Sequence, residues 1–141
     1  MTLSPEIDAK IRASFEKQSL MATLGARLLC LDRGAAEIDA PIRAGSLQQQ
    51  GFAHAGLTFS IGDSAAGYAA LTVLSEEQEV LTTQMHIHLL APGSGDKLVA
   101  RGKVIKPGRK LIVVQSNVYS VSEGQERHVA LLTGTMMPVA L

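Results

Sequence analysis

Residues 55–75 run for about twenty positions without a proline, and their apolar side chains go nearly all the way round a helical wheel: Leu57, Phe59, Ile61, Ala65, Ala66, Tyr68, Ala69, Ala70, Leu71, Val73 and Leu74. A helix that is apolar on every side is buried, not laid on a surface. The rest of the chain therefore has to wrap around it. Gly62, Ala65, Ala66, Ala69 and Ala70 keep the helix slim, which lets a sheet approach closely.

The flanking segments read as that wrapping. Ser4 and Pro5 suit a cap and a first helical position, and Ile7, Ile11 and Phe15 follow at spacing four, predicting a helix over residues 5–18. A strand is expected over residues 23–32. The turn Asp32-Arg33-Gly34 leads into a second strand over 35–41, where Ala36, Ile38 and Ala40 alternate with Glu37 and Asp39. Residues 43–53 are polar and loop-like. After the long helix, strands are expected over 80–90, 98–105, 111–121 and 127–137, separated by Ala91–Asp96, by the turn Lys106-Pro107-Gly108-Arg109 and by Glu123-Gly124. This order predicts an α+β fold: a largely antiparallel sheet of about six strands curved around one central helix. Residues 1–141 are expected to form a single domain. The sheet's outer face and edge then need covering, which oligomerisation supplies.

Equal numbers of acidic and basic residues and a pI near 6.9 argue against a nucleic-acid or membrane-surface partner. No stretch approaches the roughly 18 apolar residues of a membrane helix, and Glu6 and Asp8 interrupt any secretion signal. A cytoplasmic protein is expected. Cys30 is the single cysteine, which rules out an internal disulfide and suits a reducing compartment. Its setting, Leu28-Leu29-Cys30-Leu31, predicts a buried, inert thiol.

Asp63 is the one acidic residue between positions 40 and 75, inside the apolar helix. Loss of hydration there should raise its pKa and make it a stronger base than a surface aspartate. The alternative is a side chain that faces a wet crevice or pairs with an arginine. At the helix start stand His54, Ala55 and Gly56, where unpaired N–H groups can hold a carbonyl oxygen that becomes an oxyanion; capping is the other role open to His54. Arg101, Lys103, Lys106, Arg109 and Lys110 form a basic window with no acid between them. It reads as a solvated strand face or as a phosphate contact. His86 and His88 share a strand face but lack an evident third ligand, so no metal is expected.

The stretch from His54 to Asp63 resembles the signature of the phenylacetic-acid-degradation-type hotdog thioesterases. In that family a His-Gly-Gly turn opens the central helix, an acid follows nine positions after the histidine, and an Asn or Gln stands six positions before it. His54, Asp63 and Gln48 match, and Gly51 lies between as in the family. The likeness continues through Leu89-Leu90-Ala91-Pro92-Gly93, Gly95-Asp96-Lys97-Leu98 and Gly108-Arg109-Lys110. The family's first glycine is replaced by Ala55, which could narrow the acyl entrance, and its Thr or Ser after the helix has its counterpart in Thr82, with Thr83 beside it. The resemblance implies a hotdog fold and hydrolysis of an acyl-CoA thioester. Asp63 would be base or nucleophile, Gly56 the oxyanion donor, Gln48 and Thr82 would orient water or carbonyl, and Arg109 and Lys110 would hold phosphates. It also implies a site shared by two subunits of a homodimer, a homotetramer built from two dimers, and no cofactor beyond the coenzyme A of the substrate. A hotdog dehydratase or hydratase and a non-catalytic acyl-CoA-binding module are the competing readings; the His54-Ala55-Gly56 turn fits the first poorly, and the acid at position 63 is not expected of the second.

Overall fold

The computed structural model describes residues 2–140. Its elements are α1 (Pro5–Lys17), α2 (Ser19–Leu24), β1 (Arg27–Asp32), β2 (Ala35–Pro41), a single turn of 3-10 helix (Ala44–Ser46), α3 (Ala55–Leu71), β3 (Gln78–Leu89), β4 (Lys97–Pro107), β5 (Ile112–Ser122) and β6 (Gln125–Ala140). The six strands make one sheet in the order β1-β2-β4-β5-β6-β3, antiparallel at every pairing. The sheet curves around α3, as the expected α+β hotdog architecture requires.

Close approach explains why α3 is slim. Ile61, Ala65 and Ala69 are fully buried against Ile38, Ala100, Val118 and Leu132. At the tightest point Gly102 of β4 lies so near the Ala65 carbonyl that a Cβ would collide with it. Each large aliphatic side chain buried here contributes roughly 1.5–3 kcal/mol. The outer strands are tied by charge as well. Asp39, 1% exposed, accepts from Arg27 of β1 at 3.1 and 2.7 Å and from Lys97 of β4 at 3.0 Å. Burial alone would raise its pKa, but the two cations outweigh burial and hold it below the usual aspartate value.

Four expectations are corrected. The long helix ends at Leu71, not at residue 75, because Thr72 turns its hydroxyl back: it donates to the Ala69 carbonyl at 2.6 Å and accepts from Gly34 N–H at 2.7 Å. The strand expected over 23–32 starts only at Arg27. Residues 19–24 form α2, closed by Gly25 at φ +70°, a left-handed conformation that costs glycine little. The turn between β4 and β5 begins at Gly108, not Lys106, because Pro107 still pairs with Ile112. Cys30 is exposed, since β1 is an edge strand and its register slips between Leu28 and Cys30.

Candidate active site

The two halves of the expected site lie on one face of α3. At its start His54 is the N-cap, with its Nδ1 accepting from Gly56 N–H at 2.7 Å. The His54 carbonyl takes the N–H groups of Leu57 (2.9 Å) and Thr58 (3.3 Å). Ala55 N–H has no acceptor among the described residues. His54, Ala55 and Gly56 are all exposed. Gln48 holds the loop before them: its Oε1 accepts from Gln50 N–H (2.5 Å) and Phe52 N–H (3.2 Å), while Nε2 donates to Gln50 Oε1 at 3.2 Å. One amide hydrogen of Gln48 is left over. Gln48 and Ala55 line a cleft of about 400 Å³ together with Leu89, Leu90 and Pro92.

Two turns further on, Asp63 is half-buried and accepts from the Thr82 hydroxyl at 2.9 Å on Oδ1. Burial pushes its carboxyl above the ordinary aspartate range, and the Thr82 hydrogen bond offsets part of that rise. No cation pairs with it among the described residues, so the arginine-pair reading does not hold. Thr82 reaches Asp63 because of a β-bulge at Thr83, where the pairing of β3 with β6 slips between Thr82 and Gln84. Strand side chains alternate between faces, yet Val80, Met85 and Ile87 all pack on the core and Thr82 reaches α3. The extra residue makes that possible. Thr83 itself is spent on the Thr135 carbonyl at 3.1 Å and lines neither cleft.

Seven residues separate Gly56 from Asp63, which is two helical turns, or about 10 Å of axial rise. A reacting group has to stand within about 3–3.5 Å of its target. Asp63 opens instead into a second cleft, of about 230 Å³. Within one protomer the helix start and the carboxylate therefore open into different clefts.

Of the basic window, Arg101 is already engaged. It binds Glu126 at 2.9 and 2.6 Å, approaches Glu37 at 3.5 Å and lies 4.9 Å from the centre of the Tyr119 ring. The acids absent from the sequence window are supplied across the sheet. Arg109 and Lys110 are exposed on the β4–β5 turn with no ion-pair partner among the described residues. Ile112, which follows them, registers with Met136, and Met136 with Thr82, so this turn sits at the Asp63 end of the sheet. His86 and His88 stand 4.6 Å apart on exposed β3, and no three potential metal ligands gather among the described residues. Ser60 donates to the Gly56 carbonyl at 2.7 Å. The sequence reading missed Ser14, Gln18 and Tyr68, which share the cleft with Asp63. Their signal was available as two i,i+4 steps, from Ser14 on α1 to Gln18 at its C-cap and from Ser64 to Tyr68 on α3.

Comparison with known proteins agrees with the fold. Residues 50–126, just over half of the chain, match the family model described as thioesterase superfamily. A crystal structure of a thioesterase family protein from Silicibacter pomeroyi superposes with a TM-score of 0.93 at 40% identity, covering 96% of this chain and 99% of that one. The acyl-coenzyme A thioesterase PaaI of Escherichia coli is 29% identical over 125 residues, 86% of this chain and 84% of the relative. The structure of the E. coli PaaI protein superposes with a TM-score of 0.86 at 26% identity, covering 99% of this chain and 97% of that one. A curated protein of Saccharolobus solfataricus named as an esterase is 29% identical over 92 residues, 65% of this chain, and the chain spans only 65% of that relative's length.

Proposed function

We propose, on the premise that this chain belongs to the thioesterase superfamily, that it hydrolyses an acyl-coenzyme A thioester to a free carboxylic acid and coenzyme A. The observation that carries this reading is Asp63: a carboxylate without a cationic partner, made more basic by burial, held by Thr82 in a cleft. The name of the E. coli relative supports the substrate class.

The active site is completed by a second copy of the chain, which brings its own α3 N-terminus against Asp63. Two observations support this. The donor and the carboxylate stand two turns apart in one protomer, and β3 is a twelve-residue edge strand with Leu81 and Leu89 more than half exposed. An unpaired edge of that length is a template for another strand. A dimer built on it has two equivalent sites, and two such dimers form the tetramer. The reaction belongs in the cytoplasm, a reducing compartment that suits a lone exposed thiol.

In the reaction, Asp63 takes a proton from water as the water oxygen bonds to the thioester carbon. The carbonyl oxygen becomes an oxyanion on Gly56 N–H of the partner helix, beside Ala55 N–H and one hydrogen of the Gln48 amide. The C–S bond then breaks, and the thiolate leaves with the proton that Asp63 held. His54 gives this site selectivity for the transition state. Its imidazole caps Gly56 N–H at rest, and a full oxyanion competes for that donor far better than a neutral ground-state carbonyl. The coenzyme A phosphates meet Arg109 and Lys110, a cationic pair with no acid to satisfy it.

A panel of short, medium, long and aryl acyl-CoAs tests the reading. Hydrolysis of some members is expected, with Asp63→Ala and Asp63→Asn folded but inactive. Undiminished hydrolysis by those variants would remove Asp63 from the mechanism. Silence across the panel would favour a binding module. Single turnover in oxygen-isotope-labelled water tests for the nucleophilic route: label in Asp63 would show a mixed anhydride opened at the aspartyl carbon, whereas label in the released acid alone is expected.

A further inference from the structure

His86 and His88 line neither the cleft at Ala55 nor the cleft at Asp63. They are exposed on β3 with ring centres 4.6 Å apart, on the side of the strand opposite Met85 and Ile87, which pack on the core. Across β6 they register with Thr133 and Leu131, neither of them charged. Their other flank is the open edge of the sheet. A partner whose Ala55-Gly56 turn reaches Asp63 brings the strand end beside that turn, Leu89 and Leu90, toward Thr82. The two β3 edges then run antiparallel about a two-fold axis. Facing residues of such a pair point to the same side of the sheet, so the axis passes through a residue and not between two. With the bulged Thr83 left out of the count, an axis at His86 sets Thr82 across from Leu89 of the partner subunit, both on the α3 side. It also sets His86 across from His86 of the partner subunit.

We propose that His86 and His88 of one chain, with His86 of the partner subunit, bind one divalent transition-metal ion of the zinc type per dimer. The proposal rests on the two-chain reading above. Residues directly opposite across an antiparallel pair have Cβ atoms about 4.5–5.5 Å apart, and diagonal neighbours lie about 7–8 Å apart. Imidazole rings on such positions can converge on one ion at about 2.0–2.1 Å from each nitrogen. Imidazole donors suit zinc, nickel and copper, whereas magnesium and calcium take oxygen ligands. Three histidines leave the fourth position of a tetrahedral ion to water. One protomer supplies only two of the three, in keeping with the absence of a three-ligand group among its described residues. Because the ion bonds to both chains, it favours the dimer over its separated subunits.

The test titrates untagged, metal-stripped protein with zinc chloride by calorimetry and follows subunit exchange between labelled and unlabelled dimers. One ion is expected per two chains, with exchange slowed on the order of tenfold at saturating zinc. His86→Gln and His88→Gln, both exposed and outside the proposed catalytic groups, should lose zinc binding and the slowed exchange while hydrolysing acyl-CoA at the rate of zinc-free wild type. One ion per chain with exchange unchanged would mean a pair of histidines acting within a single protomer, which overturns the proposal. Zinc binding that survives both substitutions overturns it as well, since the ion then sits elsewhere. A dimer that hydrolyses acyl-CoA and takes up no zinc overturns this proposal alone. A chain that sediments as an active monomer with and without zinc overturns the two-chain site along with it.

Discussion

At Asp63 the fold works against the charge that the proposed chemistry needs. Burial raises the folded-state pKa above its unfolded value, so the ionised side chain costs stability once pH exceeds the folded pKa. That cost fades as pH falls below the unfolded value of 3.8. Asp63→Asn keeps an acceptor for Thr82 and removes the charge. It should melt higher than wild type at neutral pH, and the gap should close in acid, as calorimetry across pH would show. The same variant should lose about 100- to 10,000-fold in kcat/KM, the usual worth of a positioned base. Thr82 acts in the opposite direction from burial, since its hydroxyl stabilises the carboxylate. The acid limb of kcat/KM in wild-type protein should therefore rise through a midpoint above 3.8. Thr82→Val should push that midpoint higher still, whereas an unmoved limb would mean that the hydrogen bond does not bear on the ionisation that matters.

Among the elements, α3 separates glycines that serve packing from one that leaves room. A Cβ at Gly67 would meet only Met136 Cε, at 3.8 Å, and Gly67 lines the Asp63 cleft. Gly67→Ala should stabilise the protein by about 0.5–1 kcal/mol through helix propensity while lowering turnover of bulky acyl groups. Gly102→Ala should do the reverse, because its methyl would be driven into the Ala65 carbonyl. A loss of about 1–3 kcal/mol is expected from such overpacking, and urea titration of the two variants should give shifts of opposite sign. The apolar wheel of residues 55–75 made the central helix legible in the sequence, and hairpin chemistry such as Asp32-Arg33-Gly34 made the strands around it legible. Two kinds of feature were not. Short-range events leave almost no periodic trace: a six-residue α2, the stop at Thr72, a single extra residue at Thr83. Cross-strand satisfaction leaves none at all, so Arg101 read as part of a solvated face or a phosphate contact until β6 brought Glu126 to it, and the apolar company of Cys30 hid its place on an edge strand. The spacing of Gln48, His54 and Asp63 was visible, and capping was one of the roles open to His54; which N–H it would take was not, because that is a choice of rotamer.

For the whole molecule, the proposed shared site makes activity a property of a pair of chains. If the site joins Asp63 of one protomer to Gly56 of another, a dimer of Asp63→Asn chains has no functional carboxylate. A dimer of Gly56→Val chains has its oxyanion donor shielded by a branched side chain. A hybrid of the two restores one wild-type site, formed by the carboxylate of the Gly56→Val chain and the helix start of the Asp63→Asn chain, and leaves the other site doubly damaged. Random reassociation of equal amounts puts half of the chains into hybrids, so the mixture should recover about a quarter of the wild-type rate from two inactive parents. Co-unfolding and refolding, followed by acyl-CoA hydrolysis at fixed total protein, measures this directly. Each parent refolded alone must stay inactive. A mixture no more active than its parents, with hybrids present by mass spectrometry, would place donor and carboxylate of each site in the same chain and overturn the shared site.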